Sequence, residues 1–158
     1  MHTQITHVNT SQLDSVELAA WRGLLRAHAA LVHELDADLR AAHDISLHEY
    51  EVLLVLSRAP KQRLRMSELA SSVVLSQSGL TRLVDRLVRA GSVERTQCES
   101  DRRGLNAELT RSGKATLEQA RPTHLAGIHR LFVDRFDTGE LGLLAGLWER
   151  VLPGATAD

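Results

Sequence analysis

The stretch MSELASSVVLSQSGLTRLVDRLVRAG, from Met66 to Gly91, decides how the rest of the chain is read. It divides into two helical segments joined by a short turn. In the first, Ser67 is placed to cap the helix, and Leu69, Ala70 and Val73 share its inner side. Val74 and Leu75 form the turn. Ser76 is a good N-cap for the second helix, because its hydroxyl can accept an otherwise unpaired N–H of the first turn. That helix stops at Gly91, where glycine accepts the left-handed conformation of a C-terminal cap. Leu80, Leu83, Val84 and Leu87 recur at helical spacing and predict one buried face. The opposite face holds Gln77, Ser78, Thr81, Arg82, Asp85, Arg86 and Arg89. Gln, Ser, Thr and Arg are the side chains that bond base edges or phosphates in a major groove. An isolated helix of this kind is more often a solvated surface element. The residues that follow change that expectation.

Val93 to Gln97 and Leu105 to Leu109 both alternate, and the pair predicts a β-hairpin. Its loop is expected to be CESDRRG, Cys98 to Gly104. A basic loop projecting beside a recognition helix is a wing, whose arginines can enter a minor groove that is narrow and strongly negative over A·T runs. Arg95 on the first arm and Asp101, Arg102 and Arg103 at the tip join the candidate DNA-binding set with Ser76, Gln77, Ser78, Thr81, Arg82, Arg86 and Arg89.

The runs LSQSGLTRLVDRLVRAGSVER and SDRRGLNAELTRSG resemble the winged-helix core of the MarR family of bacterial transcription regulators. Asp101 with Arg103, and the LTRSG that opens the next helix, carry the most specific part of the resemblance, and the flanking helical pattern extends it over nearly the whole chain. It implies a mostly α fold: a winged helix-turn-helix with a two-stranded β wing and long N- and C-terminal dimerisation helices. It implies a homodimer, a recognition helix matching Ser76 to Ala90, and minor-groove entry by Arg103. It further implies a transcriptional regulator, a repressor in the expected mode, that binds a pseudo-palindromic operator in double-stranded DNA. Release by a small aromatic or phenolic effector is a further implied property, from a pocket between the dimerising helices and the winged helix. Trp21, His28, Tyr50 and Glu51 are the candidate lining, an aromatic wall with a few polar groups. The competing expectation is that Trp21 and Tyr50 are ordinary core residues.

A chain of 158 residues fits one domain with a real core. Residues 1–158 are expected to form a single unit, with 11–43 and 111–152 as dimerisation helices and 46–110 as the DNA-binding lobe. No apolar run is long enough to span a bilayer, so no membrane partner is expected. MHTQITHVNTSQ lacks a secretory pattern, and a single cysteine fits a reducing cytoplasm. The net charge of −1 argues against a generally basic surface, but distribution matters more. Lys61 to Arg103 carries nine Lys/Arg against five Asp/Glu, whereas the remainder carries ten against fifteen. Positive charge is concentrated where the DNA contact is expected.

Outside the central stretch, a long helix is expected from Ser11 to about His43, with Leu24, Leu31, Leu35 and Leu39 as its apolar stripe. Ser46 with Glu49, and Asp137 with Glu140, have the spacing of capping boxes. The helix between them ends near Ser57, and Leu64 is placed to add a brief strand beside the wing. Thr110 caps a helix expected to reach about Phe136, with a kink or break at Pro122. Leu141, Leu144, Trp148 and Val151 form a seam on the last helix. This seam and the first stripe exceed what one small domain can cover, which favours burial between two chains.

Other chemistries find little support. His28/His33 and His124/His129 are five apart and diverge on a helix, and His43 with His48 lacks a third ligand, so neither metal nor cofactor is expected. Cys98 lies near Arg102 and Arg103, but Glu99 and Asp101 oppose the charge that would activate it, and an incidental exposed thiol is expected. No nucleophile elbow, HExxH or phosphate-cradling loop is present, so no catalytic residues are assigned and an enzyme is not expected. The alternative from another class is a winged-helix module that binds a partner protein rather than DNA. Gln77, Ser78, Thr81, Arg82 and the arginine-tipped wing favour DNA over it. Asp85 and Asp101 are expected to orient neighbouring arginines among Arg82, Arg86, Arg89 and Arg103.

Overall fold

A computed structural model describes residues 12–73, 77–98 and 101–156. The chain begins with α1 (Ser15–His43), then α2 (Leu47–Arg58), a single 3-10 turn and β1 (Arg63–Arg65). α3 (Met66–Ser72) and α4 (Gln77–Arg89) form the helix pair, followed by β2 (Val93–Cys98) and β3 (Asp101–Leu109). α5 (Arg111–Leu131), a second 3-10 turn and α6 (Thr138–Val151) complete it. The sheet is antiparallel in the order β1-β3-β2, with Leu64 opposite Ala107 and Arg95 opposite Ala107 from the other side. None of the described helices is long and apolar enough to cross a membrane.

Local chemistry sets the helix starts. Ser46 accepts the Glu49 N–H while Glu49 accepts the Ser46 N–H, and Asp137 with Glu140 does the same at α6. Each box satisfies N–H groups that the first turn of a helix leaves unpaired. A third box, Asp14 with Glu17, starts α1 at Ser15 rather than near Ser11. The apolar faces of α2, α3 and α4 meet over the sheet. Leu53, Leu56, Leu69, Leu80, Val84, Val93 and Ala107 are buried there, joined by Leu39 from the end of α1 and Leu117 and Ala120 from α5. α1 and α5 cross closely at Gly127, where a Cβ would come within 2.7 Å of Leu35.

Several sequence expectations shift. α3 begins at Met66 with Arg65 as N-cap, and Glu68 accepts the Arg65 N–H, so Ser67 lies inside the helix and is not its cap. The N-cap expected at Ser76 lies outside the described residues. α5 runs through Pro122 without interruption of its helical span and stops at Leu131, short of Phe136. The wing has longer strands than the alternation suggested. β2 includes Cys98 and β3 begins at Asp101, so most of the expected loop is strand, with a register shift between Gln97 and Cys98. Cys98 is buried rather than exposed, and its thiol donates to Asn106 Oδ1 at 2.9 Å. Folding Cys98 under the hairpin removes it from solvent, so the expectation of an incidental surface thiol is corrected.

Candidate nucleic-acid interface

α4 has two faces of opposite character. Leu80, Leu83, Val84 and Leu87 are all buried, which turns Ser78, Thr81, Arg82, Arg86 and Arg89 outward on an exposed face. Gly91 ends the helix with φ 73°, and the Gly91 and Ser92 N–H groups cap the Val88 and Leu87 carbonyls. The helix is held in this orientation by ion pairs from consecutive residues. Asp85 Oδ1 accepts from Arg95 Nη1 on β2 at 2.5 Å. Arg86 Nε donates to Glu49 Oε1 on α2 at 2.9 Å. Asp85 was expected beside Arg82, Arg86, Arg89 or Arg103. Its side chain instead meets Arg95, because β2 packs along α4, while its backbone carbonyl accepts from Arg89 Nε at 3.3 Å. Arg95 is partly buried and Arg86 half exposed.

Among the described residues of this lobe, Glu49 is the one charged residue that is buried, with 12% of its side chain exposed. Burial pushes its carboxyl up, but the Ser46 N–H, the Arg86 guanidinium and the Ser46 hydroxyl together hold it below the ordinary glutamate value. Asp36 at the end of α1 behaves likewise. Burial raises it, and hydrogen bonds from Arg40 at 2.6 Å and from the Leu47 N–H at 2.8 Å bring it below the ordinary aspartate value.

The wing grows from a tight joint. Thr110 caps α5 by accepting the Gly113 N–H and donates its own hydroxyl to the Gly91 carbonyl at 2.6 Å. The Thr110 N–H bonds the Ser92 carbonyl. Gly113 passes so close to Ser92 that a Cβ would lie 2.0 Å from the Ser92 carbonyl oxygen. The LTRSG run is therefore a contact requirement: threonine to cap and glycine to let α5 lie against the end of α4. Asp101, Arg102 and Arg103 fall on β3. Ser76 and the side chains of Gln77, Asp101, Arg102 and Arg103 lie outside the described residues.

The four effector candidates lie in different surroundings. Trp21 is 53% exposed on α1. His28 lines an apolar groove of about 500 Å³ with Leu24, Leu31, Phe132, Leu144 and Trp148, and Trp21 is not part of that lining. Tyr50 is buried, its ring 4.4 Å from that of His124. Glu51 borders a separate hollow of about 200 Å³ between α2 and α3 and accepts from or pairs with His48 Nδ1 at 3.1 Å. Tyr50 is packed as the core expectation has it, whereas Trp21 is not a core residue. Sequence reasoning missed the second role of Glu49. Its capping-box spacing was a signal, but the partner on α4 is 37 residues away.

A MarR family model matches residues 43–104, from the end of α1 into β3 of the wing. The HTH-type transcriptional repressor YetL of Bacillus subtilis is 32% identical over 114 residues, covering 70% of this chain and 68% of its own. The chain belongs to the MarR family. Among solved structures, the MarR family regulator AbsC of Streptomyces coelicolor superposes with a TM-score of 0.82 at 36% identity, over 89% of this chain and 94% of its own. Sco3205, a MarR family regulator of the same organism solved in complex with DNA, gives 0.85 at 31% identity, over 93% and 92%. This MarR-family chain is accordingly a DNA-binding transcriptional regulator and not an enzyme.

Proposed function

We propose that the chain represses transcription as a homodimer on a nearly palindromic operator, with α4 in the major groove of each half-site and the wing in the flanking minor groove. The observation that carries this is the division of α4: its apolar face is sealed in the core while its polar, arginine-bearing face is exposed. In this reading Ser76, Gln77, Ser78, Thr81 and Arg82 meet bases, and Arg86 and Arg89 meet phosphates. Arg103 enters the minor groove with Asp101 holding it and Arg102 at the backbone. Arg95 acts through Asp85, whose side chain it bonds. Residues 46–110 form the DNA lobe, and 11–43 with 111–152 form the arms of the dimer. Two-fold symmetry in the protein then sets half-sites about one helical turn apart. A small aromatic or phenolic effector fits the apolar groove at His28 better than the packed surroundings of Tyr50.

Selection of duplexes from a random pool with the full chain tests the reading. A palindromic consensus is expected. On that consensus Arg82→Ala should cost about 1–3 kcal/mol and relax preference at one position per half-site. Arg103→Ala should weaken binding most where the flank is A·T-rich and narrow. Enrichment of no sequence would overturn the operator reading.

A further inference from the structure

We propose that Glu49 is a positioning residue for DNA recognition, seating α4 on the N-terminus of α2 by gripping Arg86. This rests on the reading of α4 as the DNA-reading helix. A capping box needs one carboxylate oxygen, and Glu49 supplies Oε2 to the Ser46 N–H at 2.7 Å. At an ordinary helix start water would take the other oxygen. Here Oε1 is committed to Arg86 Nε, in a side chain that is nearly buried.

The same turn of α2 is held from a third side. Asp36 on α1 accepts the Leu47 N–H with one oxygen and Arg40 Nε with the other. α1, α2 and α4 are thereby joined through polar contacts around residues 46–49. Arg86 follows Asp85, which is tied to β2, and successive helical residues point about 100° apart. Rotation of α4 about its own axis must therefore strain the contact to α2 or the contact to the wing. Base-edge hydrogen bonds tolerate displacements of only about 0.5 Å. Using Nε for Glu49 fixes the planar guanidinium while the half-exposed side chain still presents its outer edge.

The sign of one measurement separates this role from plain electrostatics. Glu49 carries a negative charge beside the DNA face, so removing it should tighten DNA binding if charge alone matters. Positioning demands the reverse. Glu49→Gln is selective, because glutamine also serves at this place in a capping box. The full chain and its variants would be titrated with a duplex selected by the parent and with a scrambled duplex of equal length, across a salt series. Glu49→Gln should lower affinity for the selected duplex about tenfold and leave the scrambled duplex within about twofold. Arg86→Lys keeps the charge but not the fork; its phosphate contact affects both duplexes alike, so the ratio of selected to scrambled affinity should fall about tenfold. In that ratio the double variant should lose no more than either single one, because both remove the Glu49–Arg86 contact. Selected-duplex affinity that is unchanged or higher in Glu49→Gln, or additive losses in the double variant, would overturn the assignment. If circular dichroism shows Glu49→Gln unfolded, Arg86→Lys decides, and an unchanged preference for the selected duplex overturns it. A parent chain that prefers no duplex defeats the DNA reading itself, and the positioning role with it, which is a different result from a specific parent whose variants keep their specificity.

Discussion

The lobe from α2 to β3 and the arms built from α1 and α6 use apolar residues in opposite ways. In the lobe, the inner faces of α2, α3 and α4 close on the sheet, and leucines such as Leu53, Leu56, Leu69 and Leu80 are fully buried within one chain. On α6 no residue is buried, although Leu143, Leu147 and Val151 follow one another at four-residue spacing and are exposed. α1 shows both behaviours along its length: Leu39 is buried near its end, whereas Val16, Trp21 and Leu25 are exposed near its start. The lobe's core is closed within one chain with the help of Leu39, Leu117 and Ala120, and among the described residues the arms leave apolar surface exposed. Apolar surface of this extent on an otherwise polar chain marks an interface, and the dimer proposed above places a second copy there.

The largest expected effect breaks the lobe. Gly113→Ala puts a methyl group against the Ser92 backbone, which no side-chain rotation can relieve. A loss of about 3 kcal/mol is expected, read as a lowered urea midpoint with an unchanged slope. A variant as stable as the parent would show that the β3–α5 joint is loose. The second effect breaks the arms and spares the lobe. Leu147→Glu with Val151→Glu should weaken self-association about a hundredfold, because charged groups would be buried at the interface. Sedimentation should find a monomer with near-parental helical signal, and DNA affinity should fall because two half-sites are no longer held together. A dimeric double variant would move the interface elsewhere.

The smallest effect sharpens the boundary where α2 meets α5. His124 Nδ1 is buried without a hydrogen-bond partner among the described residues, and its ring packs at a tilt of 40° against Tyr50. Burial lowers its pKa below the ordinary 6.5, and the nearby Glu51 carboxylate opposes that only in part. The folded state therefore binds a proton less readily than the unfolded state. Stability from this group should be complete above pH 6.5 and decline as pH falls from 6.5 toward the lower folded value. Denaturation midpoints between pH values about 1 unit either side of 6.5 should show the decline, and His124→Phe should flatten it. An equal decline in the variant would assign the acid sensitivity to other groups.

Much of this was present in local sequence. The two faces of α4 follow from helical periodicity, and the capping boxes at Ser46 and Asp137 from a spacing of three, because both depend on neighbours within one turn. The brief strand at Leu64 and the cap at Thr110 were legible for the same reason. Ser67 misled because a serine near a helix start matches the cap pattern wherever the helix begins, and the backbone at Arg65 decided that. Cys98 misled because strand length, not charge nearby, sets its burial. The pairings Glu49–Arg86, Asp85–Arg95 and Asp36–Leu47, and the close passage of Gly113 over Ser92, came from tertiary structure alone. Periodicity tells which way a side chain points from its own helix. What it meets there depends on how separate elements are brought together, and that is settled by burial of the whole apolar core at once.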